Sequence, residues 1–62
     1  MTQSQMKELI HVCMDMLQEQ YGWKFKRGAK KETLRMLKLS ASYGEWSIID
    51  ALEEALHEYR AA

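Results

Sequence analysis

Three glycines and no proline punctuate this chain, and where the glycines fall decides most of what it can fold into. Gly22 and Gly44 each close an apolar-periodic segment, Leu17-x-x-x-Tyr21-Gly22 and Leu39-x-x-x-Tyr43-Gly44. At such a position glycine can take the left-handed conformation that stops a helix. Gly28 falls between them and breaks the stretch that starts at Trp23. The two endings share capping chemistry without making a repeat, and the segments read as helix, short extended piece, helix, helix.

Each segment carries its own signal. Thr2-Gln3-Ser4-Gln5 offers a Thr-x-x-Gln capping box, which satisfies amides that a first helical turn leaves unpaired. Met6, Leu9, Ile10, Cys13, Met16, Leu17 and Tyr21 then recur at three- and four-residue spacing, predicting an amphipathic helix over 1–22. Trp23-Lys24-Phe25-Lys26 alternates aromatic with basic residues, so an extended backbone sends the two kinds to opposite faces. From about Ala29 helical spacing returns. Leu34, Met36, Leu37, Leu39, Ala41 and Tyr43 form the apolar side, and Lys30, Lys31, Arg35 and Lys38 the basic one. Ser47-Ile48-Ile49-Asp50 is a weaker capping box with Trp46 placed as a hydrophobic staple on Ala51. Ile48, Ile49, Leu52, Ala55, Leu56 and Tyr59 predict a third helix, after which Ala61 and Ala62 are expected to fray.

Length sets the next limit. A single domain of 62 residues buries only about 60% of the surface its unfolded chain exposes, so self-association is expected. No apolar run approaches the roughly 20 residues that span a bilayer, and the N-terminus lacks the pattern of a signal peptide, so a cytoplasmic chain without membrane contact is expected. The lone Cys13 lies on the apolar stripe and reads as a small buried hydrophobe.

The formal net charge of zero conceals a strong segregation. Residues 1–22 hold one basic and three acidic residues, residues 23–44 seven and one, and residues 45–62 one and five. The basic third reads either as a solvated surface, paired with an acidic helix of another subunit, or as a face that meets an anionic partner. In the second reading Lys24 and Lys26 project from the extended segment, and Arg27, Lys30 and Lys31 contact phosphates.

Catalytic constellations are missing from the sequence pattern. His11 and Cys13 stand two apart, which puts them on different faces of a helix, and no third ligand has matching spacing, so no metal and no cofactor are expected. His57 with Glu53 or Glu54 is an ordinary helix-surface contact. No phosphate loop, nucleophile elbow or Ser-His-Asp order is present, and no enzyme is expected.

Residues 23–60 resemble the ribbon–helix–helix family of small DNA-binding proteins. The likeness lies in the alternating Trp23-Lys24-Phe25-Lys26, a helix ending Leu39-Ser40-Ala41-Ser42-Tyr43-Gly44, a tight turn with Ser47, and the run Ile48-Ile49-Asp50-Ala51-Leu52-Glu53-Glu54-Ala55-Leu56-His57-Glu58-Tyr59. The resemblance implies an intertwined homodimer in which two copies pair their extended segments, with Trp23 and Phe25 as the seam. It implies that Lys24 and Lys26 read base edges in the major groove of double-stranded DNA. It also implies that backbone amides near Trp46 and Ser47 hold a phosphate.

The sequence therefore predicts a mainly α protein with a short β-ribbon segment, or alternatively an all-α three-helix bundle. The expected function is that of a small DNA-binding transcriptional regulator. The alternative is a helical interaction module whose basic second helix binds an acidic partner, with Met6, Leu9, Ile10 and Met16 of the first helix as a groove-filling face for a protein.

Overall fold

The structure, a computed structural model, describes residues 2–61, with Glu45 and Trp46 described by their backbone alone. It is mainly helical, with three helices and one short antiparallel ribbon. Helix α1 spans Gln3–Tyr21, strand β1 Lys24–Phe25, helix α2 Ala29–Ser40, helix α3 Glu45–Glu58 and strand β2 Arg60–Ala61, with a 3-10 turn over Ala41–Tyr43.

The first helix begins as its capping box dictates. The Gln5 amide donates to Thr2 Oγ1 at 3.2 Å and the Thr2 amide donates to Gln5 Oε1 at 2.7 Å, so two orphan donors are satisfied reciprocally. At the other end Gly22 sits at φ 68°, ψ 21°. This left-handed residue turns the chain so that its own amide and that of Trp23 both reach the Leu17 carbonyl.

The extended segment finds its partner at the far end of the same chain. Lys24 lies opposite Ala61 and Phe25 opposite Arg60, and the Lys26 amide continues the ladder by donating to the Tyr59 carbonyl at 2.8 Å. The fraying expected at Ala61 is thereby corrected, because β1 carries backbone groups that need partners and Arg60 and Ala61 provide them. Ala62 lies outside the described residues. The ribbon forms without a second copy.

Two helix boundaries differ from expectation. The second helix was expected to run to Tyr43, but α2 stops at Ser40 and tightens into the 3-10 turn, where Ser42 Oγ donates to the Leu39 carbonyl at 2.9 Å. Gly44, at φ 110°, then redirects the chain, and α3 starts at Glu45. Ser47 thus falls within the first turn of α3 instead of capping it. The Trp46 staple lies outside the described side chains.

The core forms where the three helices meet. Met6, Ile10 and Met14 of α1 face Ala29 and Leu37 of α2 and Ile48, Ala51, Leu52 and Leu56 of α3. The inner line of α2 is Ala29, Thr33, Leu37, spaced four apart, which rotates Leu39 and Tyr43 outward to 62% and 82% exposure. On α1 the same logic buries Met14 and leaves Met16 and Tyr21 exposed, while Ile49 of α3 is exposed as well. Those corrections share a cause: the apolar stripes are wider than the contact each helix makes, and only part of each is buried.

Candidate anion-binding surface

The alternation in the ribbon appears as a division of faces. Trp23 and Phe25 are half-buried, whereas Lys24 and Lys26 are exposed. Strand geometry makes this division, since successive side chains point to opposite sides of the pleat. On the inner side the Trp23 ring meets Phe25 with centroids 6.1 Å apart and His57 edge-on at 5.3 Å. Arg60, across the ribbon, lies over the same ring at 4.0 Å. The two residues expected at a dimer seam therefore make their aromatic contacts within the chain.

The basic residues extend from the ribbon into the start of α2. Lys24, Arg27 and Lys31 are exposed; no carboxylate among the described residues forms an ion pair with them. Lys26 places its ammonium 3.5 Å from the Glu58 carbonyl, and Lys30 donates to His11 Nδ1 at 3.3 Å. Arg35, by contrast, is engaged by Glu32 one turn away at 3.0 Å, which removes it from the uncompensated set. Gly28, at φ 83°, precedes α2 with no side-chain cap.

Ser47 does not join this group. It is half-buried in the first turn of α3, which follows the C-terminal end of α2. Lys30 and Lys31 occupy the N-terminal end of that helix, and its 12 residues span about 18 Å.

The structure adds residues that the sequence reading did not gather. Lys7 and His11 of α1 line a cleft together with Lys30 and Lys31 of α2. His11 Nε2 lies 3.1 Å from Asp15, so with Nδ1 accepting from Lys30 the neutral imidazole carries its proton on Nε2 and bridges Asp15 to Lys30. The spacing Lys7, His11, Asp15 puts all three on one stripe of α1 and was the available signal. Arg60 had no such signal, because its approach to Trp23 depends on the ribbon.

No protein-family model, no curated protein and no solved structure matches this chain. Among the described residues no helix is long and apolar enough to cross a membrane.

A second concave surface lies between the C-terminal half of α1 and α3. It is an apolar groove of about 450 Å³ with Met16, Tyr21 and Trp23 on one wall and Ile49, Leu52 and Leu56 on the other. Met6 and Ile10, expected to serve as a docking face of the first helix, are instead 4% and 2% exposed and belong to the chain's own core. With Met14 they form the inner line of α1, and burying them is what attaches that helix to the other two.

Proposed function

We propose that this protein is a small DNA-binding regulator whose β1–β2 ribbon and adjoining start of α2 meet the duplex. The observation that carries the reading is the division of β1, with aromatic side chains turned inward and Lys24 and Lys26 turned outward. A two-stranded ribbon fits the major groove of B-form DNA. Arg27, Lys30 and Lys31 follow directly and serve as phosphate contacts, which position a protein on the duplex without reading its sequence. Ser47, at the opposite end of α2, has no part in this surface.

The experiment is fluorescence anisotropy of a labelled duplex titrated with the protein at about 50 mM salt, repeated as salt is raised. Three phosphate-contacting cations predict a slope of log affinity against log salt of about −2.7. Replacing Lys24 and Lys26 together by Ala should lower affinity and relax sequence preference while leaving that slope nearly unchanged, with an unchanged helical circular dichroism spectrum. An absence of binding at the lowest salt overturns the reading, because phosphate attraction is strongest there.

One observation favours a second reading, a protein-interaction module. The groove between α1 and α3 exposes Met16 at 44% and Ile49 at 52%, and exposed apolar surface of this kind accepts an amphipathic helix. Retention of an amphipathic helical peptide, with no duplex binding at low salt, would replace the first reading by this one.

A further inference from the structure

The cleft between the N-terminal halves of α1 and α2 sets Lys30 and Lys31 beside Lys7, Ile10, His11 and Leu34, four residues that duplex binding leaves unused. It encloses about 410 Å³ and is lined by Lys7, Ile10, His11, Lys30, Lys31 and Leu34. Buried Ile10 and half-buried Leu34 make an apolar floor, and three exposed lysines with an exposed imidazole make the rim. Of the nearby carboxylates, Glu32 is paired with Arg35 at 3.0 Å, and Asp15 reaches the cleft through His11, 3.1 Å away. Three like charges thus surround a concave apolar surface, an arrangement that concentrates positive potential in the cleft.

We propose that this cleft binds a small organic phosphate monoester, its phosphoryl group held by Lys7, Lys30 and Lys31 and its compact apolar body resting on Ile10 and Leu34. The charge argues for a phosphate monoester over a carboxylate. Such a group carries about −1.5 to −2 charges and three acceptor oxygens at neutral pH, which suits three ammonium groups, whereas a carboxylate brings one charge and two oxygens. The floor argues for an organic body over inorganic phosphate, since a bare anion leaves half-buried Leu34 in contact with water. The volume falls within the roughly 300–1,000 Å³ of small-molecule pockets. His11 acts as a positioning residue: its bond to Asp15 fixes the ring, and Nδ1 then accepts from Lys30, which holds that ammonium at the rim.

Phenyl phosphate is the probe, followed by amide chemical shifts in the intact protein and by calorimetry. Binding should shift the amides of Lys7, Ile10, His11, Lys30, Lys31 and Leu34. Its affinity should exceed that of inorganic phosphate by about tenfold, the contribution of the buried ring. Lys7→Gln should lower the affinity several-fold, whereas the Lys24→Ala, Lys26→Ala double variant should bind phenyl phosphate like the parent, separating this site from the ribbon whatever happens to duplex binding. The proposal is overturned by any of three results: no binding of phenyl phosphate, equal affinity for inorganic phosphate, or a Lys7→Gln variant that binds as tightly as the parent.

Discussion

Arg60 holds its guanidinium carbon 4.0 Å from the centre of the Trp23 ring, joining the two strands from the side opposite Lys24 and Lys26. Such a contact contributes about 0.5–1 kcal/mol at an exposed site. Arg60→Ala should lower stability by that amount. Trp23→Ala should cost more, because it also removes the ring contacts to Phe25 and His57. In a double-mutant cycle followed by urea unfolding, the two substitutions should couple; strict additivity would show that the stacking contributes nothing.

Leu37 and Leu39 test the rotation of α2. Leu37 is 0% exposed and Leu39 is 62% exposed. Leu37→Ala should cost about 2–5 kcal/mol, enough to unfold much of so small a domain, while Leu39→Ala should stay within about 0.5 kcal/mol. Thermal melts by circular dichroism separate the two, and similar losses at both sites would mean that the helix presents a different face.

Thr33 is fully buried and its hydroxyl has no hydrogen-bond partner among the described residues. A buried polar group left unpaired costs about 1–3 kcal/mol. Thr33→Val keeps the shape and removes the hydroxyl, so the unfolding midpoint should rise in urea. A fall in midpoint would reveal a partner for the hydroxyl.

Gly22 turns the chain at φ 68°, and a Cβ built there meets nothing within 4 Å. The cost of Gly22→Ala is therefore backbone strain alone, about 1–2 kcal/mol. Gly22→Asn should cost less, because asparagine tolerates the left-handed region better. Equal losses for the two variants in thermal unfolding would place the penalty elsewhere.

Burial raises the Cys13 thiol above its ordinary value of 9.0. The neutral thiol is favoured in the folded chain, so this contribution to stability is fully present below pH 9 and declines as pH rises through the shifted value. Alkylation by iodoacetamide should accordingly be slower in the folded protein than in urea. Cys13→Ala should flatten the fall in stability above pH 9, and a fall unchanged by the substitution would assign it to other groups.

The helices were legible because their signals are local. The Thr2 to Gln5 box and the Gly22 stop formed as their chemistry requires, and the Trp23 to Lys26 alternation became a real division between inner and outer faces. What the sequence did not disclose depends on contacts between distant segments. Nothing in Arg60-Ala61 marks it as a strand until Lys24-Phe25 is beside it. Met14 and Thr33 displaced Met16 and Leu39 from the core because the helices pack along narrower lines than their apolar stripes suggest. The cleft residues Lys7 and His11 gained meaning only when α2 brought Lys30 and Lys31 across from them.

The ribbon also governs how the chain moves. Its two strands of two residues each join segments that enclose both later helices, so the contact is strongly non-local. Non-local pairings form late, and a pairing this short opens at low free energy relative to global unfolding. Amide exchange at Lys26, whose proton is held by the Tyr59 carbonyl, should therefore be faster than in the middle of α3. Each opening releases a strand edge that another copy can occupy. The tethered C-terminal end competes for that edge at an effective concentration on the order of millimolar, so exchange of strands between copies becomes a matter of protein concentration.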